Sequence, residues 1–207
     1  MALVEKYFNF RMYRSTKLSF ILVLASLILF FILSPATAYE NGPLENLQVL
    51  ELLAASAFGC YLAAKAASVR ERNIWYSGAV TALICAGREL NWGRVFYPVA
   101  GHNKFLPLKA LWYGPIVYPV VGLAIITVLV VLFRSRLLSF IAERKIPFWN
   151  FLLFIVLYFL ASLAEHRPMY LFEQHLDGEV LEELFECICY WLMIDIMRIM
   201  GRIRSKN

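Results

Sequence analysis

An all-α, polytopic membrane bundle of six transmembrane helices is the fold class the sequence predicts, and three observations predict it. The chain has 207 residues, of which 61% are hydrophobic, so there is no room for a separate soluble domain. Six apolar stretches stand near the roughly 20 residues that cross a hydrocarbon core of about 30 Å: 18–38, 46–64, 74–91, 110–133, 147–164 and 179–200. Charge then sorts by side. With the N-terminus inside, 15 of the 20 basic residues fall on cytoplasmic flanks: Lys6, Arg11, Arg14, Lys17, Lys65, Arg70, Arg72, Arg134, Arg136, Arg144, Lys145, Arg198, Arg202, Arg204 and Lys206. The positive-inside rule asks for that asymmetry. Eleven of the 15 acids lie on the opposite side. The expected topology therefore has both termini inside, in a single integral membrane domain, 1–207.

Each element has its own signal. Residues 4–17 mix Tyr7, Phe8, Phe10 and Tyr13 with Arg11, Arg14 and Lys17, which suits a short helix at the cytoplasmic interface. The first span, 18–38, ends in Ala36-Thr37-Ala38, which is similar to a signal-peptide cleavage site. Its length and the 17 residues before it favour a retained anchor; cleavage would leave five spans with the N-terminus outside. Asn41-Gly42-Pro43 marks the first outward turn, and Arg70-Glu71-Arg72-Asn73 the next inward one. The segment 93–109 contains Tyr97-Pro98, Gly101 and Pro107, so an irregular or re-entrant path is expected. Trp92, Phe96, Tyr97, Phe105, Trp112 and Tyr113 form an interfacial aromatic belt beside it. Pro115 and Pro119 should bend the outer half of the fourth span. Glu179 opens the sixth span as a favourable first-turn acid.

Several function classes recede. The net charge of +5 sits on juxtamembrane flanks, where Lys and Arg meet anionic headgroups, and no nucleic-acid motif accompanies it. Cys60, Cys85, Cys187 and Cys189 fall inside spans without a C-x-x-C pair, as buried small apolar residues do. No internal repeat supports an inverted-repeat transporter, and neither a G-x-S-x-G elbow nor a Gly-rich phosphate loop occurs.

The candidate site is the outward acidic cluster. Glu51, Glu89, Glu165, Glu182, Glu183 and Glu186 come from four spans to one leaflet. Below the headgroups an unpaired charge costs about 3 kcal/mol or more. Glu179, Glu183 and Glu186 share one helix face, where like charges oppose the helix unless cations, metal or protons offset them. Arg88, Arg94, Lys104 and Arg167 are the cations on that side, and His102, His166 and His175 lie there too. Glu89, Glu165, Glu183 and Glu186 are expected to converge with Arg88, Arg167 and a histidine. In Arg88-Glu89-Leu90-Asn91-Trp92-Gly93-Arg94, adjacent Arg88 and Glu89 project about 100° apart and should serve different partners, while Glu89 and Trp92 share a face.

That run resembles a loose group of uncharacterised bacterial polytopic membrane proteins with a Glu-x-x-Trp-Gly-Arg/Gln signature. The likeness extends to Glu45-Asn46-Leu47-Gln48 and to Glu182-Glu183 with Glu186. It implies kinship, and with it a bacterial cytoplasmic (inner) membrane as the location, and carries no function. Glu182-Glu183 is also similar to the paired Glu of intramembrane proteases that process prenylated proteins, but Cys187 stands where their motif needs Arg.

Two functions follow from the residues. One is a metal-assisted hydrolase or transferase acting on a lipid or envelope substrate. His102, His166, His175, Glu165 and Glu186 would hold a divalent transition metal such as zinc. Glu89 or Glu183 would be the general base, and Arg88, Trp92, Arg94, Lys104 and Arg167 would bind the substrate. The other is a non-catalytic membrane subunit or a carrier, with membrane lipids and other membrane subunits as its partners.

Overall fold

The computed structural model describes residues 2–99, 105–166, 169–171, 174–176 and 178–202, the side chains of 2, 3, 165, 166, 169–171 and 174–176 excepted. The described chain is mostly helical, in the order α1 (Ala2–Tyr7), β1 (Phe8–Asn9), α2 (Arg14–Ile32), α3 (Pro43–Lys65), α4 (Val69–Glu89), α5 (Gly114–Arg134), α6 (Leu137–Arg144), β2 (Ile146–Pro147), α7 (Phe148–His166), β3 (Met169–Leu171), β4 (Gln174–Leu176) and α8 (Gly178–Arg202). Each of the six apolar stretches lies largely on one long helix. Three of those helices, α2, α3 and α5, are long and apolar enough to cross a membrane, and α7 carries a shorter apolar run, Phe148–Ala164. Charges near its two ends set α4 apart, as Glu and Asp side chains do for α8.

Element ends depart from the sequence reading where local chemistry overrides hydropathy. The first span was placed at 18–38, but α2 runs Arg14–Ile32. Ser34 precedes Pro35 and is extended, with ψ near 150°, because the proline ring disfavours a helical residue before it. The chain then makes a 3-10 turn over Pro35–Thr37. Residues 70–73 are not a turn: α4 starts at Val69, and the Ser68 hydroxyl accepts a hydrogen bond from the Glu71 amide at 3.2 Å. Pro115 sits in the first turn of α5, where a missing N–H costs nothing, so only Pro119 is internal to the helix. Near the N-terminus the expected interfacial helix shrinks to α1. The next residues extend, and Phe8 and Asn9 pair in parallel with Ile146 and Pro147.

The chain divides into two compact units, Met1–Leu47 with Ile141–Asn207, and Gln48–Phe140. In the first, α8 packs along α7 and α2. Leu181, Leu184, Ile188, Leu192, Asp195 and Ile199 recur at steps of three and four, so they form one seam on α8, and all are buried. Leu153, Leu157, Ala161 and Ala164 of α7 face the same core with Phe30 of α2. The small alanines let the helix backbones approach. β3 and β4 form an antiparallel hairpin with Tyr170 opposite His175.

In the second unit α3 and α4 approach closely at Gly59, where an added Cβ would stand 3.0 Å from the Cβ of Ala79. Leu52, Ala55, Ala63, Ala79 and Ala82 are nearly inaccessible. Trp75 meets Phe140 edge-on at 5.4 Å. By contrast, Gly114 alone among the 21 residues of α5 is buried. All four cysteines are free thiols; Cys187 and Cys189 are buried as expected, whereas Cys60 is exposed on α3.

Candidate functional site

The run Arg88–Arg94 builds a corner at the C-terminal end of α4. Glu89 is the last residue of the helix and only 6% exposed. Arg88 and Glu89 were expected to serve separate partners. Instead the Arg88 guanidinium, which is exposed, reaches back to the Glu89 carboxylate at 3.4 Å. The arginine side chain is long enough to cross the angle between neighbouring Cβ directions.

Beyond Leu90 the chain takes three successive left-handed residues, Asn91 (φ 47°), Trp92 (φ 55°) and Gly93 (φ 84°). Glycine occupies that region freely and Asn tolerates it; Trp does so at a cost of about 1 kcal/mol or more. The path swings Trp92 off the helical face it would have shared with Glu89, and its ring lies against Gly87, where an added Cβ would stand 2.7 Å away. Tyr113 donates its hydroxyl proton to the Trp92 carbonyl at 3.2 Å. Its oxygen also lies 2.9 Å from where a Cβ on Gly93 would stand, so glycine is required there twice over. Arg94 donates from Nε to the Leu106 carbonyl at 2.9 Å, bracing the returning strand that bridges Pro98 to Phe105. The irregular path expected for 93–109 is therefore present in its described part.

The acids of α8 belong to the other unit. Glu179 is exposed and Glu182, Glu183 and Glu186 are half-buried. Each of the four interacts with a neighbouring group. The expected convergence joins residues of both units and includes Arg167 and the side chains of Glu165, His166 and His175, which lie outside the described residues, as do His102 and Lys104. Among the described residues, no three His, Cys, Asp or Glu side chains group as a metal site. On α3, Glu51 is half-buried, and its Oε2 is shielded with no hydrogen-bond partner among the described residues.

The sequence reading missed a second polar cluster, in the first unit. Thr16 of α2 donates to Asn150 Oδ1 at 2.5 Å, Asn150 of α7 donates from Nδ2 to Asp195 Oδ2 at 2.7 Å, and Arg198 donates to Asp195 Oδ1 at 2.9 and 2.6 Å. Thr16 and Asn150 are 0% exposed and Asp195 1%. One helical turn on, Trp191 donates to the Ser19 hydroxyl at 3.2 Å, which donates to the Ser15 carbonyl. Three helices are thus tied by a chain in which every named group has a partner. The signal was available: Asp195 stands in an apolar run, three residues before an arginine, and an ionisable residue in a membrane-length helix is a site by default. Arg144, also buried, donates to the Met200 and Gly201 carbonyls and so caps the C-terminal end of α8.

Comparisons with family models, with curated proteins and with solved structures returned no match.

Proposed function

We propose that this chain is a six-span protein of a bacterial cytoplasmic (inner) membrane, with both termini inside, that acts as a hydrolase or transferase on an anionic lipid or envelope substrate at its outer face. The observation that carries the chemistry is Glu89, a buried carboxylate one residue short of three left-handed residues. Strained backbone persists where its surroundings over-determine it, and such places cluster at functional sites. In this reading Glu89 takes a proton from an attacking water or hydroxyl as the new bond forms, and returns it to the leaving group as the old bond breaks. Arg88, already exposed beside it, attracts the anionic group, Trp92 and Arg94 shape the corner, and Lys104 and Arg167 are the further substrate-binding candidates that the sequence names. Glu183 is the second candidate base. A divalent metal such as zinc belongs to the same reading, on His102, His166, His175, Glu165 and Glu186, where it would polarise the substrate and acidify water. Kinship with the Glu-x-x-Trp-Gly-Arg/Gln group is part of the proposal and lends it no activity.

A non-catalytic membrane subunit or carrier is the second reading. The chain Thr16–Asn150–Asp195–Arg198 favours it, because buried polar groups that are all satisfied act as helix clamps without any chemistry.

Purified wild-type protein and Glu89→Gln are incubated with total lipid and envelope extracts, products are read by mass spectrometry, and metal content and melting are measured on the same samples. The enzyme reading expects products with wild type only, at unchanged melting temperature. No product with either protein, together with a lower melting temperature for Glu89→Gln, gives first place to the structural reading. Metal-free active protein removes the metal from the mechanism.

A further inference from the structure

At the end of α5 remote from Gly114, the chain folds a second corner that neither reading uses. α5 stops at Arg134, Ser135 is buried, Arg136 takes a left-handed backbone (φ 51°), and α6 begins at Leu137. These residues line a cavity of about 650 Å³ whose walls are Leu132 to Arg134 and Arg136 to Ser139, within the usual size range of small-molecule sites. Its composition is divided. Arg134 and Arg136 are exposed, and neither guanidinium has a protein partner among the described residues. Beside them Phe133 is 86% exposed and Leu138 69% exposed.

Depth decides what could cover both surfaces. The 21 residues of α5 make a helix about 30 Å long, the thickness of a hydrocarbon core. A helix of that length, with almost no residue buried, places Arg134 at the level of the headgroups and Phe133 at the edge of the acyl region. The first turn of α6 opens into the same cavity, so its dipole adds a positive end there. Arg136 is held left-handed, a conformation that a side chain with a Cβ adopts at a cost. The amides of Ser139 and Phe140 both bond to its carbonyl, which fixes the turn.

We propose that this corner is a binding site for one anionic phospholipid, with Arg134 and Arg136 on its phosphodiester and Phe133, Leu137 and Leu138 against the proximal acyl chain. Two guanidinium groups match phosphate oxygens in number and in fork geometry, and the exposed apolar residues account for a lipid rather than a free anion.

The test uses the full chain in neutral detergent, titrated with dioctanoyl phosphatidylglycerol, with bound lipid read by native mass spectrometry and melting followed in parallel. Wild type should take up one lipid saturably. Arg136→Gly is the decisive variant, because glycine suits φ 51°. It should melt no lower than wild type and yet bind at least about tenfold more weakly. Arg134→Gln should weaken binding by a similar factor, and Lys65→Gln/Arg72→Gln, two basic residues that do not line the cavity, should leave it unchanged. Equal uptake of dioctanoyl phosphatidylcholine would reduce the corner to an apolar surface and overturn the proposal. Saturable binding of inorganic phosphate at comparable concentration would assign the site to a free anion instead. Equal weakening by the Lys65/Arg72 pair would mean general charge, and undiminished binding by Arg136→Gly would remove the site altogether.

Discussion

Asp195 is only 1% exposed, and both of its carboxylate oxygens are occupied, one by the Asn150 amide and the other by Arg198. A charge so placed is retained only with such partners, since desolvation otherwise outweighs the attraction. Arg198 keeps about a third of its side chain exposed, so on losing Asp195 it can turn to water or headgroups. Asn150 cannot, being wholly buried. Asp195→Ala is therefore expected to destabilise by about 2 kcal/mol, chiefly by orphaning the Asn150 amide. Asn150→Ala should cost about 1 kcal/mol, in line with interhelical hydrogen bonds in membranes. The double variant should fall short of the sum, because the two residues share one bond. Denaturant titration in mixed micelles measures all three. An Asp195→Ala protein as stable as wild type would mean that the chain does not clamp α2, α7 and α8.

Among the elements, α4 shows best how short-range chemistry sets a boundary. Its charged first turn reads as a loop by hydropathy, but Ser68 and Glu71 stand at the spacing of a capping pair, and the cap bond forms. Glu71 also accepts from the Trp75 indole at 3.3 Å, one turn on. Ser68→Ala should lower stability by about 1 kcal/mol and Ser68→Asp should not, with melting curves as the readout. Equal melting for Ser68→Ala and wild type would show that Trp75, packed on Phe140, holds the helix start without the cap. The end of α2 obeys the same kind of rule through Pro35, which was visible in the sequence but outweighed there by apolar length. The corner after α4 was half legible. Gly93 marked the exit from the helix, whereas nothing local to Trp92 foretold its left-handed backbone, which is held by Gly87 beneath the ring and Tyr113 some twenty residues on.

For the molecule as a whole, orientation is the first expected outcome. Reporter fusions after Asn41, Asn103 and Gln174 should report the outside, and those after Arg72, Glu143 and Asn207 the inside; an inside signal at Asn103 would sink the topology. The sequence by itself determined the helical class, the approximate places of the six long helices and the irregular segment after α4. All of these follow from hydropathy, from charge, or from Pro and Gly, and such properties act over a few residues. Tertiary structure decided what those signals do not contain. It paired Arg88 with its own neighbour, took Trp92 away from Glu89, and joined Thr16, Asn150 and Asp195, which are separated by as many as 134 positions for a single hydrogen bond. A polar residue in an apolar helix declares that it needs a partner. Which partner it meets depends on how whole helices pack, because hydrogen bonds reach about 3 Å and only packing brings distant residues so close.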